Sequence, residues 1–390
     1  MFKRVFLIVL DSVGVGAAKD ADKYDDLGTN TFMHATSSIK EEYPNLRKLG
    51  FFNLANNEAD NTISYYTKGI EKSNGKDTLT GHLEMMGVVT IKPFKTFLNG
   101  FPKELIDEIE KISGRKVIGN CAASGTEIIK ELGDRQMKTG ELIVYTSSDS
   151  VLQIAAHEDI IPLTELYDIC KKVREITLKD EWKVGRIIAR PYIGSNGNFE
   201  RTPNRHDYAL NPAHETVLDI LKNNNYEVRA IGKISDVFNN CGITKSTKTK
   251  DNLDGINKIL EEEENEFTGL CFANLNDYDS KYGHRRNPVG YANALKEFDN
   301  YIPEIIEKLH DDDLLIITAD HGNDPTYKGT DHTRENTPII FYHKNIKNSK
   351  RLENLEGFYN IGYTILENFN LNNNLNFFEK ESWIIKESLK

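Results

Sequence analysis

The hydrophobic positions of the chain follow two patterns, and each predicts one kind of secondary structure. Short apolar runs that do not alternate with polar residues, and that are rich in β-branched and aromatic side chains, are typical of strands buried on both faces of a parallel sheet. This pattern occurs in VFLIVL (5–10), LIVYTS (142–147), EVRAIG (227–232), GLCFANL (269–275), LLIITA (314–319) and PIIFYH (338–343).

Helical periodicity lies between these runs. In the clearest stretch, spacings of three and four place all the apolar residues on one helix face: Tyr291, Leu295, Phe298, Ile302, Ile305 and Leu309. Residues 103–112 and 213–222 show the same spacing. Because strands alternate with helices, the sequence predicts an α/β fold with right-handed crossovers and a doubly wound core.

The length of 390 residues favours two domains, since single cores stop growing at about 250–300 residues. The segment from 94 to 213 differs in composition from its flanks, because it is rich in Lys, Arg and Gly. We interpret it as a smaller inserted domain that caps the core. Residues 1–93 and 214–390 are then predicted to form one catalytic core.

The composition excludes some partners. The net charge of -11 disfavours nucleic acid and anionic lipid, and the acidic run 261–266 is predicted to be a solvated helix end. The four cysteines form no CxxC pair, which predicts separate reduced thiols and a cytoplasmic protein. No apolar run approaches the roughly 20 residues needed to cross a bilayer, and the first run is too short for a signal peptide. We expect a monomer.

Potential metal ligands follow three of the predicted strands, where ligand sites of such sheets lie. Asp11 follows the first run, Asp279 and His284 follow GLCFANL, Asp320 and His321 follow LLIITA, and His332 lies shortly after. Any one of these could be a turn or capping residue. Together, three carboxylates and three imidazoles suit two metal ions, and the mixture of ligands favours Mn²⁺ or Zn²⁺.

Two such ions act on phosphate esters together with a hydroxyl nucleophile. The stretch NGKDTLTGHLEMMG (74–87) offers Thr78 and Thr80 in a glycine-flanked turn that opens a predicted helix. A helix N-terminus can hold a phosphate through its free N–H groups. The alternative is that Asp77 or Thr78 only caps this helix.

Four segments in order, LIVLDSVGVG, GKDTLTGHLE, DYDSKYGHRRN and TADHGNDPTYKGTDHTRENTP, resemble the signature segments of the phosphopentomutase family. This family belongs to the alkaline-phosphatase-like metalloenzymes. KVGRIIARPYIG and NRHDYALNP extend the resemblance into the inserted segment. The resemblance implies interconversion of α-D-ribose 1-phosphate and D-ribose 5-phosphate, and of the 2-deoxyribose pair, through a phosphothreonine enzyme and a 1,5-bisphosphate.

The resemblance also implies a role for individual residues. Thr78 would carry the phosphoryl group, Asp11, Asp320 and His321 would hold one Mn²⁺, and Asp279, His284 and His332 would hold the other. Glucose 1,6-bisphosphate or a similar compound would prime the enzyme. The substrate contacts would be Ser147, Asp149, Arg186, Arg201 and Lys233. Arg190 and Arg205 lie close to two of these in the sequence, and Asp331 is outside the family's ligand set.

The sequence departs from the family pattern at Leu79, Leu83 and Asn287, which affects packing and substrate preference rather than reaction class. Three other functions stay open. They are a cofactor-independent phosphoglycerate mutase, another alkaline-phosphatase-like phosphoesterase and a metal-stabilised binding module without catalysis. The chain length and Thr at position 78 favour the first interpretation over a phosphoglycerate mutase, whose family uses serine and a longer chain.

Overall fold

The structure is a computed structural model that describes residues 1–59, 61–147 and 149–371. The chain divides into two compact units. The core unit comprises Met1–Lys92 and the described part of Asn211–Lys390, and the inserted unit comprises Pro93–Leu210. Within the described ranges, none of the helices has both the length and the apolar character that crossing a bilayer requires.

The strands follow one another along the chain as β1 (Arg4–Leu10), β2 (Tyr65–Ile70), β3 (Val117–Ala122), β4 (Leu142–Thr146), β5 (Val151–His157), β6 (Arg186–Ser195), β7 (Asn198–Arg201), β8 (His206–Ala209), β9 (Glu227–Ile231), β10 (Lys245–Thr247), β11 (Gly269–Leu275), β12 (Asp313–Thr318), β13 (Thr337–Tyr342), β14 (Lys350–Arg351) and β15 (Leu355–Glu356). The predicted strands agree with these bounds to within one residue.

The helices are α1 (Thr31–Thr36), α2 (Pro44–Lys48), α3 (Phe51–Asn56), α4 (Thr78–Met85), α5 (Lys103–Ser113), α6 (Gly125–Thr139), α7 (Leu163–Ile176), α8 (Val217–Asn223), α9 (Ile234–Val237), α10 (Asn252–Glu263), α11 (Pro288–Lys308) and α12 (Tyr359–Asn368). A 3₁₀ turn spans Ala21–Tyr24 and a π-helical turn spans Tyr278–Gly283. The prediction of an α/β fold is confirmed.

The core sheet has the strand order β10-β9-β11-β1-β12-β13-β2-β14, and β15 also pairs with β2. β1 lies between β11 and β12 and runs parallel to both. Val9 is in register with Asn274 of β11 and Thr318 of β12, so the three strands end at the same level. The residues that follow them therefore emerge together at one edge of the sheet.

Both faces of β1 are buried, which explains its unbroken apolar run. Phe6 and Ile8 pack in the same core cluster as Tyr291, Leu295 and Phe298 of α11. The predicted helix face of residues 291–309 therefore lies against the sheet, as its spacing requires.

Two expectations are wrong. β13 is antiparallel to β12, with Ile340 opposite Ile317, because an apolar run reports burial on both faces but not strand direction. The acidic run at the end of α10 is only partly solvated. Glu262 and Glu263 are buried, and Glu262 pairs with Arg229 and Lys245.

The inserted unit has its own sheet, with the order β3-β4-β5-β6-β7 and β8 paired to β6. Leu142 and Val144 of β4 pack with residues of α5 and α7 in one cluster. Ile143 and Tyr145 pack with residues of α6 in another. Helices thus cover β4 on both faces, in accord with its non-alternating sequence.

Candidate metal centre

A first group of potential ligands forms where β1 and β12 end. One ligand atom each from Asp11, Asp320 and His321 lies within 4.8 Å of the others, and all three residues are buried. Among the described residues, Asp11 Oδ1 and Asp320 Oδ2 have no hydrogen-bond partner. Buried carboxylate oxygens without partners are costly, and a divalent cation at this position would satisfy both. We call these three residues the first ligand group.

A second group lies beside it, contributed by the π-helical turn after β11 and by the segment before β13. His284 Nε2 is 3.3 Å from Asp279 Oδ2, and His332 Nε2 is 3.3 Å from Asp279 Oδ1. The two Nε2 atoms are 3.0 Å apart. Asp279, His284 and His332 are the second ligand group. The ring of His321 lies 4.1 Å from that of His332, centroid to centroid, so the two groups adjoin.

Hydrogen bonds on the far side of two rings fix their tautomers. His284 Nδ1 donates to the Thr330 carbonyl at 2.7 Å, and His321 Nδ1 donates to the Gly322 carbonyl at 2.9 Å. When the ring is neutral, each Nε2 atom then has its lone pair towards the ligand group, which is the arrangement of a metal-ligating imidazole.

The electrostatics of the two groups differ. Burial, together with the charge of Asp320, raises the pKa of Asp11 above its ordinary value. Burial also acts to raise the pKa of Asp279, but the His332 and His284 imidazoles outweigh it and hold that pKa well below its usual range. Three buried carboxylates and three imidazoles form a donor set that fits two divalent cations of the hard-to-borderline class.

Thr78 is the first residue of α4, and its hydroxyl faces the first ligand group. Thr78 Oγ1 lies 3.2 Å from His321 Nε2 and 3.0 Å from Lys233 Nζ. Because Lys233 can only donate and His321 Nε2 carries a lone pair, the hydroxyl accepts from Lys233 and donates to His321. This polarisation is what a hydroxyl nucleophile needs.

The cap of α4 is Asp77, whose Oδ1 accepts from the amides of Leu79 at 3.0 Å and Thr80 at 3.2 Å. The amides of Leu79 and Thr80 are therefore paired with a carboxylate, and the expectation that this helix N-terminus favours a phosphate stays a prediction. Capping by Asp77 leaves the Thr78 side chain available for other contacts.

Lys233, which follows β9, lies in the core unit beside the candidate nucleophile. Its Nζ donates to Asp11 Oδ2 at 2.7 Å and to Asn276 Oδ1 at 3.0 Å. Burial acts to lower the pKa of Lys233, but the carboxylates of Asp11, Asp279 and Asp320 outweigh it and raise that pKa. The side chain is therefore a stable cation that can stabilise negative charge on the Thr78 oxygen.

His82 belongs to this centre, although it was not among the predicted site residues. Its Nδ1 lies 2.9 Å from the Thr78 carbonyl oxygen and 3.2 Å from Asp320 Oδ2. The ring is buried and lies on Phe272. Its position four residues after Thr78, one helical turn away, was the signal in the sequence that could have identified it.

Comparison with known proteins shows the family and the fold of the chain. The sequence model of the Metalloenzyme superfamily matches residues 3–373. The chain belongs to the Metalloenzyme superfamily. The structure of the PH0037 protein from Pyrococcus horikoshii is similar at 14% identity and a TM-score of 0.52, over 97% of this chain and 100% of that one. The predicted alkaline-phosphatase-like core is confirmed as the fold of this superfamily member.

Two further solved structures show weaker similarity. Leishmania mexicana phosphoglycerate mutase, solved at low cobalt concentration, matches at 12% identity over 97% of each chain with a TM-score of 0.47. A protein in the alkaline phosphatase superfamily from Vibrio parahaemolyticus matches at 18% identity over 40% of this chain and 48% of that one, with a TM-score of 0.30.

The remaining predicted site residues of this Metalloenzyme superfamily member lie in the inserted unit. Ser147 and Asp149 follow β4, and the Asp149 amide donates to Ser147 Oγ at 3.3 Å. Arg186 begins β6, and Arg201 ends β7 and donates to the Tyr145 hydroxyl at 3.3 Å.

Asp207, which was not among the predicted site residues, lies next to several arginines of the inserted unit. It pairs with Arg205 at 2.6 Å and with Arg186 at 3.6 Å. Burial acts to raise the pKa of Asp207, but Arg205, Arg186 and Arg190 outweigh it and hold that pKa below its usual value. Burial, with the charges of Arg205 and Arg201, lowers the pKa of Arg190 to about 10. This surplus of guanidinium groups is suited to an anion.

The three departures from the family pattern are structurally mild. Leu79 and Leu83 are buried residues of α4. Asn287 caps α11 by accepting from the amide of Gly290 at 2.9 Å, which an aspartate would also do.

Proposed function

We propose that this protein is a phosphopentomutase, which interconverts α-D-ribose 1-phosphate and D-ribose 5-phosphate and the corresponding 2-deoxyribose phosphates. The observation that supports this most strongly is the position of Thr78. Its hydroxyl oxygen contacts the Lys233 ammonium group and the His321 imidazole, next to two adjoining groups of potential metal ligands. A threonine so placed suits an enzyme that stores a phosphoryl group on itself.

Two divalent cations, Mn²⁺ in this proposal, would be held by the first and second ligand groups. When bound, they neutralise phosphate oxygens and lower the pKa of an adjacent hydroxyl group. The protein itself also orients one side chain of the first ligand group, because Asp320 Oδ1 accepts from the Ser12 amide at 3.0 Å.

In the proposed cycle, the phosphoryl group leaves Thr78 Oγ1 and bonds to the free hydroxyl oxygen of the sugar phosphate. The P–Oγ1 bond breaks, and the proton of the sugar hydroxyl ends on the threonine. Lys233, 3.0 Å from Oγ1, stabilises the negative charge that develops there. The resulting 1,5-bisphosphate returns its other phosphoryl group to Thr78, which completes the isomerisation.

The remaining parts of the proposal rest on the family resemblance. Ser147, Asp149, Arg186 and Arg201 would contact the sugar phosphate, and glucose 1,6-bisphosphate would phosphorylate Thr78 initially. Arginine side chains suit this role because their planar guanidinium groups bind phosphate through two hydrogen bonds. We also propose a cytoplasmic location, supported by four cysteines that are all free thiols.

The test is conversion of D-ribose 5-phosphate to ribose 1-phosphate, followed by ³¹P NMR with Mn²⁺ and a trace of glucose 1,6-bisphosphate. Wild-type protein should equilibrate the two esters without net release of phosphate. Thr78→Ala should abolish the reaction, whereas Thr78→Ser, which keeps a hydroxyl group, should retain part of it. Release of inorganic phosphate without isomerisation would favour a phosphoesterase, and turnover of 3-phosphoglycerate instead would favour a phosphoglycerate mutase.

A further inference from the structure

Asp331 directly precedes His332 in the sequence but belongs to neither ligand group. Its carboxylate has two separate contacts in the structure. Oδ1 accepts from the amide of His332 at 2.8 Å, and Oδ2 pairs with Lys76 Nζ at 3.2 Å. Lys76 is two residues before Thr78. One carboxylate therefore connects the chain next to the candidate nucleophile with a member of the second ligand group.

Lys76 is held in this position from two sides. Besides Asp331, its Nζ donates to Asp26 Oδ2 at 3.0 Å, and the lysine side chain is only 17% exposed. Asp26 Oδ2 also accepts from the backbone amide of Arg334 at 2.8 Å. The ammonium group thus pairs with two carboxylates on segments near the second ligand group. It differs in this from a solvated lysine on the surface.

The segment that contains Asp331 is anchored independently on its other side. Arg286 donates to the carbonyl oxygen of Asp331 at 2.9 Å and to that of Gly329 at 2.6 Å. The backbone at Asp331 therefore has a defined position, against which Lys76 can locate the segment before α4.

The two lysines near Thr78 have complementary contacts. Lys233 joins Thr78 to Asp11 of the first ligand group. Lys76 joins the same segment to the residue that precedes His332 of the second ligand group. We propose that Lys76 and Asp331 are positioning residues, which fix the distance of Thr78 from the second ligand group during phosphoryl transfer. This inference rests on the proposed function of Thr78.

The fold does not depend on Lys76 alone. Arg334 donates to the carbonyl oxygens of Ser73 at 3.0 Å and Gly75 at 2.6 Å, so residues 73–75 stay anchored without the lysine. Asp331 is 52% exposed, and an exposed ion pair contributes little to stability. Asp331→Asn should therefore fold normally, whereas Lys76→Met removes the cation that neutralises the buried Asp26 carboxylate and should lower the melting temperature.

The experiment measures the rate of Thr78 phosphorylation by rapid quench with Mn²⁺ and glucose 1,6-bisphosphate, together with kcat and KM for D-ribose 5-phosphate. A displacement of the nucleophile by about 1 Å can cost on the order of 100-fold in rate. We expect Asp331→Asn and Lys76→Met to lower the phosphorylation rate and kcat by roughly 10- to 100-fold, with KM little changed. Lys76→Arg should recover most of the rate.

The control is Lys328→Met, which removes an exposed ion pair with Asp25 from the same segment as Asp331 and should leave both rates unchanged. The double variant Lys76→Met/Asp331→Asn should be no slower than Lys76→Met alone, because the two residues act through one contact. The positioning role would be overturned if Asp331→Asn had wild-type rates, or if the rate losses of the two single variants multiplied in the double variant. Either result would leave the proposed function intact. Absence of phosphothreonine in the wild-type protein would refute the proposed function and the positioning role with it.

Discussion

The ammonium nitrogen of Lys233 lies 3.0 Å from the hydroxyl oxygen of Thr78 and 2.7 Å from Asp11 Oδ2. A single cation therefore contacts both the candidate nucleophile and a candidate metal ligand. The contact between Lys233 and Thr78 favours charge on the threonine oxygen, both when it attacks and when it leaves.

Lys233→Met should lower kcat for pentose phosphate isomerisation by about 100-fold, because loss of one preorganised donor to a developing oxyanion typically costs 100- to 1000-fold. The measurement is steady-state kinetics with saturating Mn²⁺. Lys19→Met serves as a control, since Lys19 is exposed and pairs only weakly with Glu356 at 3.4 Å. A Lys233→Met enzyme with wild-type kcat would remove the lysine from the mechanism.

Gly81→Ala should destabilise the protein, although Gly→Ala inside a helix usually stabilises by about 1 kcal/mol. A Cβ at Gly81 would lie 2.2 Å from the backbone oxygen of Asp320, so α4 would have to move away from the first ligand group. We expect a loss of about 1–3 kcal/mol in urea unfolding and a large loss of activity. In the control Gly255→Ala of α10, the nearest atom is the end of the Leu275 side chain, which can rotate away. Equal behaviour of the two variants would contradict this account of α4.

Addition of Mn²⁺ should raise the melting temperature of the protein, and chelation by EDTA should reverse the rise. A ligand at 100 times its Kd stabilises the folded state by about 2.7 kcal/mol. Asp320→Asn should lose most of this gain, because Asp320 Oδ2 and Asp11 Oδ1 are the two carboxylate oxygens of the first ligand group that lack a hydrogen bond within the described part of the chain.

The matched control for that experiment is Asp312→Asn. Asp312 is exposed and belongs to another group of potential ligands, which also includes His310 and Asp313. Stabilisation by Mn²⁺ should be unchanged in this variant. If Asp312→Asn removed the stabilisation by Mn²⁺ and Asp320→Asn did not, the ion would bind at the group of His310, Asp312 and Asp313.

Glu263 should make stability depend on pH. Burial raises the pKa of its carboxyl group to about 8 from an ordinary value of 4.5, and neither of its oxygens has a hydrogen-bond partner among the described residues. Between pH 4.5 and pH 8 the folded protein keeps a proton that the unfolded chain releases. The free energy of unfolding therefore falls as the pH rises, by up to about 1.4 kcal/mol per pH unit from this group.

Glu263→Gln should remove that contribution, so the variant gains stability over the wild type as the pH rises from 5 to 8. Urea unfolding at several pH values measures this difference. Glu264→Gln changes the exposed neighbouring side chain and should show no such gain. A constant difference between Glu263→Gln and wild type across this range would show that Glu263 is ionised in the folded protein.

The sequence predicted the position of the strands because burial on both faces leaves long apolar runs, as in β1 and β11. It could not predict that β13 is antiparallel, because strand direction depends on the connection and not on the pattern. The positions of Asp11 and Asp320 at strand ends were predicted correctly, because the end of each apolar run marks the end of its strand.

The contacts of single side chains were harder to predict from the sequence. Lys233, expected to contact the substrate, contacts Thr78 and Asp11 in the structure, and this depends on how β9 and β1 are placed within the sheet. Asp207 was missed because a lone aspartate has no distinctive pattern in a sequence, and His82 was missed because its signal, a position one helical turn after Thr78, is weak. The sequence left open whether Asp77 or Thr78 caps α4, and the hydrogen bonds of the Asp77 side chain show that Asp77 does.

The central claim is that two metal ions bind beside Thr78, and anomalous scattering from crystals soaked in Mn²⁺ tests it most directly. The account predicts two peaks, one among Asp11, Asp320 and His321 and the other among Asp279, His284 and His332. Anomalous peaks only elsewhere, with none within bonding distance of these six side chains, would contradict it.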